Sequence, residues 1–91
     1  MQRSVEYSSH ARAQLLEINT RIKRDNPAAA ERVATLITDS VDGLLDFPML
    51  GKAWLKVGTR KLVISKYPYS IIYKLTPEAV LVLAIDHHSL R

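Results

Sequence analysis

Cysteine is absent from the 91 residues, which excludes a disulfide framework, a thiolate metal site and a cysteine nucleophile, and suits a reducing compartment. Glycine occurs only at Gly43, Gly51 and Gly58, too dispersed for a phosphate-cradling loop, and no serine stands in a nucleophile elbow. No apolar run approaches the ~18–20 residues of a membrane span, and Met1 to Gln14 lack the apolar stretch of a signal peptide. A cytoplasmic protein with no membrane partner is expected. Acidic side chains are scarce after Asp46, where only Glu78 and Asp86 occur, so paired-carboxylate hydrolysis has little to build from.

What is present is a chain that must fold. Hydrophobic residues make up 47% and charged residues 24%, too apolar for disorder, and the length fits one domain over residues 1–91. The net charge of +4 is uneven. Residues 1–47 hold six cationic against seven acidic side chains, whereas residues 48–91 hold seven against two. A basic second half steers an anionic partner, nucleic acid or acidic protein, or is simply a solvated face.

The hydrophobic period divides the chain. Arg3 to Tyr7 alternate as a strand, and Ser8-Ser9 offer a helix cap. Ala11, Leu15, Ile18 and Ile22 form one helical stripe. Asp25-Asn26-Pro27 end that helix and start another, with Asn26 as cap and Pro27 in the first turn. The second stripe runs through Ala30, Val33, Ala34, Ile37, Val41, Leu44 and Leu45 and stops near Phe47-Pro48. Three β-branched and aromatic runs follow, at 59–65, 69–75 and 80–86, separated by Tyr67-Pro68 and by Thr76 to Ala79. The apolar 80–86 run reads as a central strand, and the 69–75 run as more mixed. The fold class is α+β: an N-terminal strand and a two-helix antiparallel hairpin packed on a mainly antiparallel sheet.

The chemistry-bearing residues gather in the sheet half: Arg60, Lys61, Lys66, Tyr67, Tyr69, Tyr73, His87, His88 and Arg91. Arginine and lysine hold phosphates or carboxylates, tyrosines stack on bases, and a histidine shuttles protons. Equally, Tyr69 and Tyr73 suit cross-strand packing, and the lysines suit edge strands that resist aggregation. Trp54 reads as a lid on the core and Phe47 as packing. No metal site is expected, because His10 is remote and neighbouring strand residues such as His87 and His88 point to opposite faces; no cofactor is expected either.

The order of these features resembles the RelE/ParE superfamily of type II toxins over the whole chain. The residues that carry the resemblance are Ala11-Leu15-Ile18, Asn26-Pro27-Ala30, Leu45 with Pro48 and Gly51, Thr59-Arg60-Leu62, Tyr67-Pro68-Tyr69-Ile71-Tyr73, and Ile85-Asp86-His87. The resemblance implies a toxin neutralised by a cognate antitoxin, with a homodimer or toxin–antitoxin heterotetramer as the expected assembly. RelE-like members are ribosome-dependent messenger RNA endonucleases, and ParE-like members inhibit DNA gyrase. Where RelE-like enzymes place an arginine in the Tyr-x-x-x-Tyr strand, this chain has Ser70, which carries no charge to stabilise a phosphorane. Only Ser89, Leu90 and Arg91 follow His88, so the C-terminal tyrosine is expected to be missing, and no glutamate lies between Arg32 and Pro77. The ParE-like branch, a gyrase inhibitor linked to growth inhibition and plasmid stabilisation, is therefore expected. Arg60, Lys61, Lys66, Tyr67, Tyr69, Tyr73, His87 and Arg91 are its candidate target- or antitoxin-binding residues. Arg60, Lys61, His87 and His88 are the candidate catalytic set of the RelE-like alternative, whose partners would be the ribosome and messenger RNA.

Overall fold

A computed structural model describes residues 3–87; His88 and Arg91 lie outside the described residues. The elements are β1 (Ser4–Tyr7), α1 (Ser9–Asp25), α2 (Pro27–Gly43), β2 (Lys52–Ala53), β3 (Thr59–Ile64), β4 (Tyr69–Leu75) and β5 (Ala79–His87). Among the described residues, no helix is long and apolar enough to cross a membrane.

Two side chains set the helix boundaries. Ser8 caps α1 by accepting from the Ala11 N–H at 3.0 Å, while its hydroxyl donates to the Leu83 carbonyl at 3.0 Å. Asn26 serves both helices: its N–H donates to the Ile22 carbonyl at 2.8 Å and its Oδ1 accepts from the Ala29 N–H at 3.1 Å. An extended residue between two 17-residue helices turns the chain back at once, and Pro27 lacks the N–H that a first-turn position would leave unpaired. The second helix ends at Gly43, slightly before Leu45. The next turn tightens, with Leu44 N–H on the Val41 carbonyl and Leu45 N–H on that of Asp42.

The sheet order is β1-β5-β4-β3-β2, antiparallel throughout except for the parallel pairing of β1 with β5. The α1 and α2 stripes cover one face. Ala11, Ile18, Val33, Ile37, Val41 and Leu44 pack against Ile64, Tyr69, Ile71, Tyr73, Val80, Val82 and Ile85 in one cluster. Burying each of the larger aliphatic side chains contributes about 1.5–3 kcal/mol.

The strands differ from expectation in two respects. The 80–86 run is an interior strand, paired with β1 and β4, but the 69–75 run, at the centre of the order, is the more completely buried one, with every residue from Tyr69 to Tyr73 buried. Strand β2 was not expected at all, since two residues carry no period to read. A register shift between Ile72 and Tyr73 leaves Leu83 without a partner on β4. The carbonyl of this bulged residue is the one that receives the Ser8 hydroxyl.

Tyr7 leans on the core cluster, and burial, reinforced by the charge of Asp42, raises its phenol above the ordinary 10.0. A raised folded-state value favours the protonated form, so this stability is present below pH 10.0 and is lost as pH climbs through the folded value. Urea unfolding at about pH 8 and about pH 11 should show an alkaline loss of stability that is smaller in Tyr7→Phe than in the unaltered chain.

Candidate functional site

The expected functional cluster divides into four places. The reason is geometric: adjacent strand residues face opposite sides of a sheet, and the relevant residues sit at both ends of β4.

Arg60 and Tyr73 face each other across the β3–β4 ladder and converge on the segment from Pro48 to Gly51. The Arg60 Nε donates to the Gly51 carbonyl at 2.7 Å and its Nη2 to the Met49 carbonyl at 3.2 Å. The Tyr73 hydroxyl donates to the Pro48 carbonyl at 2.7 Å and accepts from the Gly51 N–H at 2.9 Å. The phenol has no exposed surface and no donor to spare, which corrects its candidacy as a partner-contacting residue: Tyr73 is a core residue with a fixed hydroxyl. Gly51 fits only because it lacks a side chain; a Cβ there would stand 2.7 Å from the Tyr73 ring and 2.8 Å from its hydroxyl.

Lys61 points the other way. Its Nζ stands 4.0 Å from the centroid of the Trp54 ring, a cation–π contact on the face opposite Arg60. Trp54 is 38% exposed and is no lid on the core, because the short β2 carries it to the sheet edge. Arg60 and Lys61, grouped in the candidate catalytic set, thus leave opposite faces of β3.

Tyr69 and His87 form the third place. They are partners across β4 and β5, with rings 5.1 Å apart and edge-on, and the Arg21 guanidinium donates to the Tyr69 hydroxyl at 3.3 Å. Tyr69 is buried, leaving mainly its hydroxyl for outside contact. Gln14, Glu17, Arg21 and Asp86 line a cleft of about 190 Å³ beside them. Within it, Gln14 Oε1 accepts from the Ile85 N–H at 2.7 Å. Helix α1 thus supplies polar groups to the His87 surroundings that no sequence motif announced.

Lys66 and Tyr67 are the fourth place, flanking a shallow cleft of about 310 Å³ with Glu31, Arg32 and Asp39 of α2. Next to it, Leu36, Phe47, Leu50, Leu62 and Val63 line an apolar groove of about 320 Å³ between α2 and β3. Phe47, expected in the packing, is instead 67% exposed at this groove. The α2 stripe faces the core, so the turn that follows Gly43 carries Phe47 out to the side. Among the described residues, no three His, Asp or Glu side chains are grouped to hold a metal ion.

Arg60→Ala and Tyr73→Phe should each destabilise the chain by about 1–3 kcal/mol, since both leave backbone groups of one segment unpartnered. Because that segment is shared, a double-mutant cycle by urea unfolding should return a coupling of about 0.5 kcal/mol or more; strict additivity would show that the two act independently.

Comparison with known proteins fits this architecture. Residues 5–90 match the family described as the ParE toxin of the type II toxin-antitoxin system, parDE. A protein named "Putative toxin Y4kP" of Sinorhizobium fredii (strain NBRC 101917 / NGR234) is 31% identical over 84 residues, covering 92% of this chain and 88% of its own. Among solved structures, a chain of the chromosomal ParDE system from P. aeruginosa superposes with a TM-score of 0.84 at 21% identity, over 94% of this chain and 96% of that one. A chain of the RelBE2 toxin-antitoxin complex from Mycobacterium tuberculosis gives 0.62 at 23% identity, over 96% and 99%. One from the E. coli DinJ-YafQ complex gives 0.57 at 18% identity, over 98% and 96%. The two-helix hairpin on a five-stranded sheet is common ground with these structures, and the family match spans nearly the whole sequence. This chain belongs to the ParE toxin family of type II toxin–antitoxin systems.

Proposed function

We propose that this toxin arrests growth by binding and inhibiting DNA gyrase rather than by cutting messenger RNA. The separation of Arg60, Lys61 and His87 carries the reading. Arg60 is opposite Tyr73 on one edge of β4, and His87 is opposite Tyr69 on the other. Four residues of strand rise put those positions about 13 Å apart along β4, so the two side chains start from well-separated backbones on opposite edges of that strand. Lys61 lies on the other face, and the Arg60 guanidinium is already engaged by two carbonyls. Ser70, at the position where the ribonuclease pattern has arginine, is buried and supplies no charge.

A cognate antitoxin neutralises the toxin in this reading. Its support is the family match and the solved relatives, which are themselves toxin–antitoxin assemblies. An amphipathic antitoxin segment fits the α2–β3 groove, where Leu36, Phe47, Leu50 and Val63 offer apolar surface. A cytoplasmic location follows from a gyrase target.

Expression of the chain without its antitoxin should relax plasmid DNA or accumulate breaks while transcripts stay intact. Codon-phased cuts in ribosome-bound transcripts with normal supercoiling would overturn the gyrase reading in favour of the endonuclease.

A further inference from the structure

The connection between β2 and β3 exposes more apolar surface than any structural need explains. Leu55 is 87% exposed and Val57 is fully exposed, at the tip of a hairpin only a few residues long. Yet the loop has a fixed shape. The Trp54 N–H donates to the Thr59 carbonyl at 2.9 Å, and the Thr59 N–H to the Lys56 carbonyl at 3.0 Å. The Thr59 hydroxyl also donates to that Lys56 carbonyl, at 2.6 Å. Gly58 closes the turn at φ +84°, in the left-handed region that favours glycine. Behind the tip, Arg60 is held by the Met49 and Gly51 carbonyls, so the base of the hairpin is anchored as well.

The hairpin that carries these two aliphatic side chains is cationic. Lys56 lies between them in the sequence, Lys52 and Lys61 are paired behind the tip on β2 and β3, and no acidic residue occurs between Asp46 and Glu78. Lysines around an aliphatic point call for two things in a partner: an apolar socket and carboxylates at its rim. Nucleic acid supplies phosphates and base faces but no socket for Leu55 and Val57, and Lys61 already covers one side of the Trp54 ring. A preordered loop also loses little conformational entropy on docking, which favours a role in recognition.

We propose that the Trp54–Gly58 tip is the surface by which this toxin grips its target, a protein face with an apolar socket rimmed by carboxylates. The proposal rests on the reading of the chain as a toxin that acts by binding a protein. It places the target contact at the opposite end of β3 from the α2–β3 groove, leaving that groove to the antitoxin.

Two double variants test it: Leu55→Ser with Val57→Ser, and Lys52→Glu with Lys56→Glu. Each is compared with the unaltered chain for growth arrest on induction, inhibition of purified gyrase, melting temperature, and affinity for the antitoxin encoded beside it. The altered side chains are exposed, so melting and antitoxin affinity should be unchanged. Inhibition should weaken roughly tenfold or more in both variants. Unweakened arrest and inhibition in the serine variant would overturn the proposal while leaving the gyrase reading intact. A parallel loss of antitoxin affinity would assign the tip to the antitoxin and overturn it too. Loss confined to the glutamate variant would mark a polyanion contact and also overturn it. If the unaltered chain arrests growth but leaves gyrase untouched, the gyrase reading fails; growth arrest then decides the tip alone, supported if the serine variant is harmless and overturned if it is not.

Discussion

The Tyr73 hydroxyl ties the middle of the sheet to the one long segment without regular structure before β3. It uses both its donor and its acceptor, on the Pro48 carbonyl and the Gly51 N–H. A phenol buried on the central strand needs such partners, because an unpaired hydroxyl there would cost about 1–3 kcal/mol. With Arg60 on the adjoining carbonyls, it sets where the chain leaves α2 and at what angle it enters β2. Together the two side chains hold the 48–51 segment that leads into the β2–β3 hairpin.

Strand geometry explains why the candidate residues of the sheet half are spread over several places. Arginine, lysine, tyrosine and histidine recur along the strands, but a strand sends neighbours to opposite faces and spreads positions along its length. Arg60 is drawn to the loop carbonyls, Lys61 to the Trp54 ring, and His87 to the Tyr69 edge. The described residues offer an outside partner a shallow mixed-charge cleft beside α2, an apolar groove, a cationic hairpin and the polar cleft beside His87.

Most of the fold was legible because its signals are local. The double use of Asn26 follows from Asn-Pro chemistry, and the Ser8 cap from a hydroxyl placed before an apolar stripe. The turns at 67–68 and 76–79 break β-branched runs cleanly. The central burial of β4 was less legible, since Ser70 and Lys74 interrupt its apolar character, and only the sheet order puts it in the middle. For the candidate site, residue type was readable but direction was not. Phe47 looked like core because phenylalanine usually is; a tightened turn after Gly43 sends it outward instead. Leu55 and Val57 did carry a signal, as aliphatic residues alternating with lysine in a stretch that continues neither a helix nor a strand.

The parallel pairing of β1 with β5 joins the first strand of the chain to its last, with Ser4 opposite Ala79 and Tyr7 opposite Val82. Everything between them, both helices and three strands, is made before that contact exists. The contact is as non-local as this fold allows, so it forms late relative to the helix hairpin and the β3–β4 ladder. During synthesis the emerging chain can assemble its helices but cannot seal the edge of its sheet, or set the Ser8 bonds to Val82 and Leu83 that anchor α1. A fold built this way stays incomplete until translation has passed β5. A partner that meets the chain before β5 is made therefore meets a sheet whose β1 edge is still open.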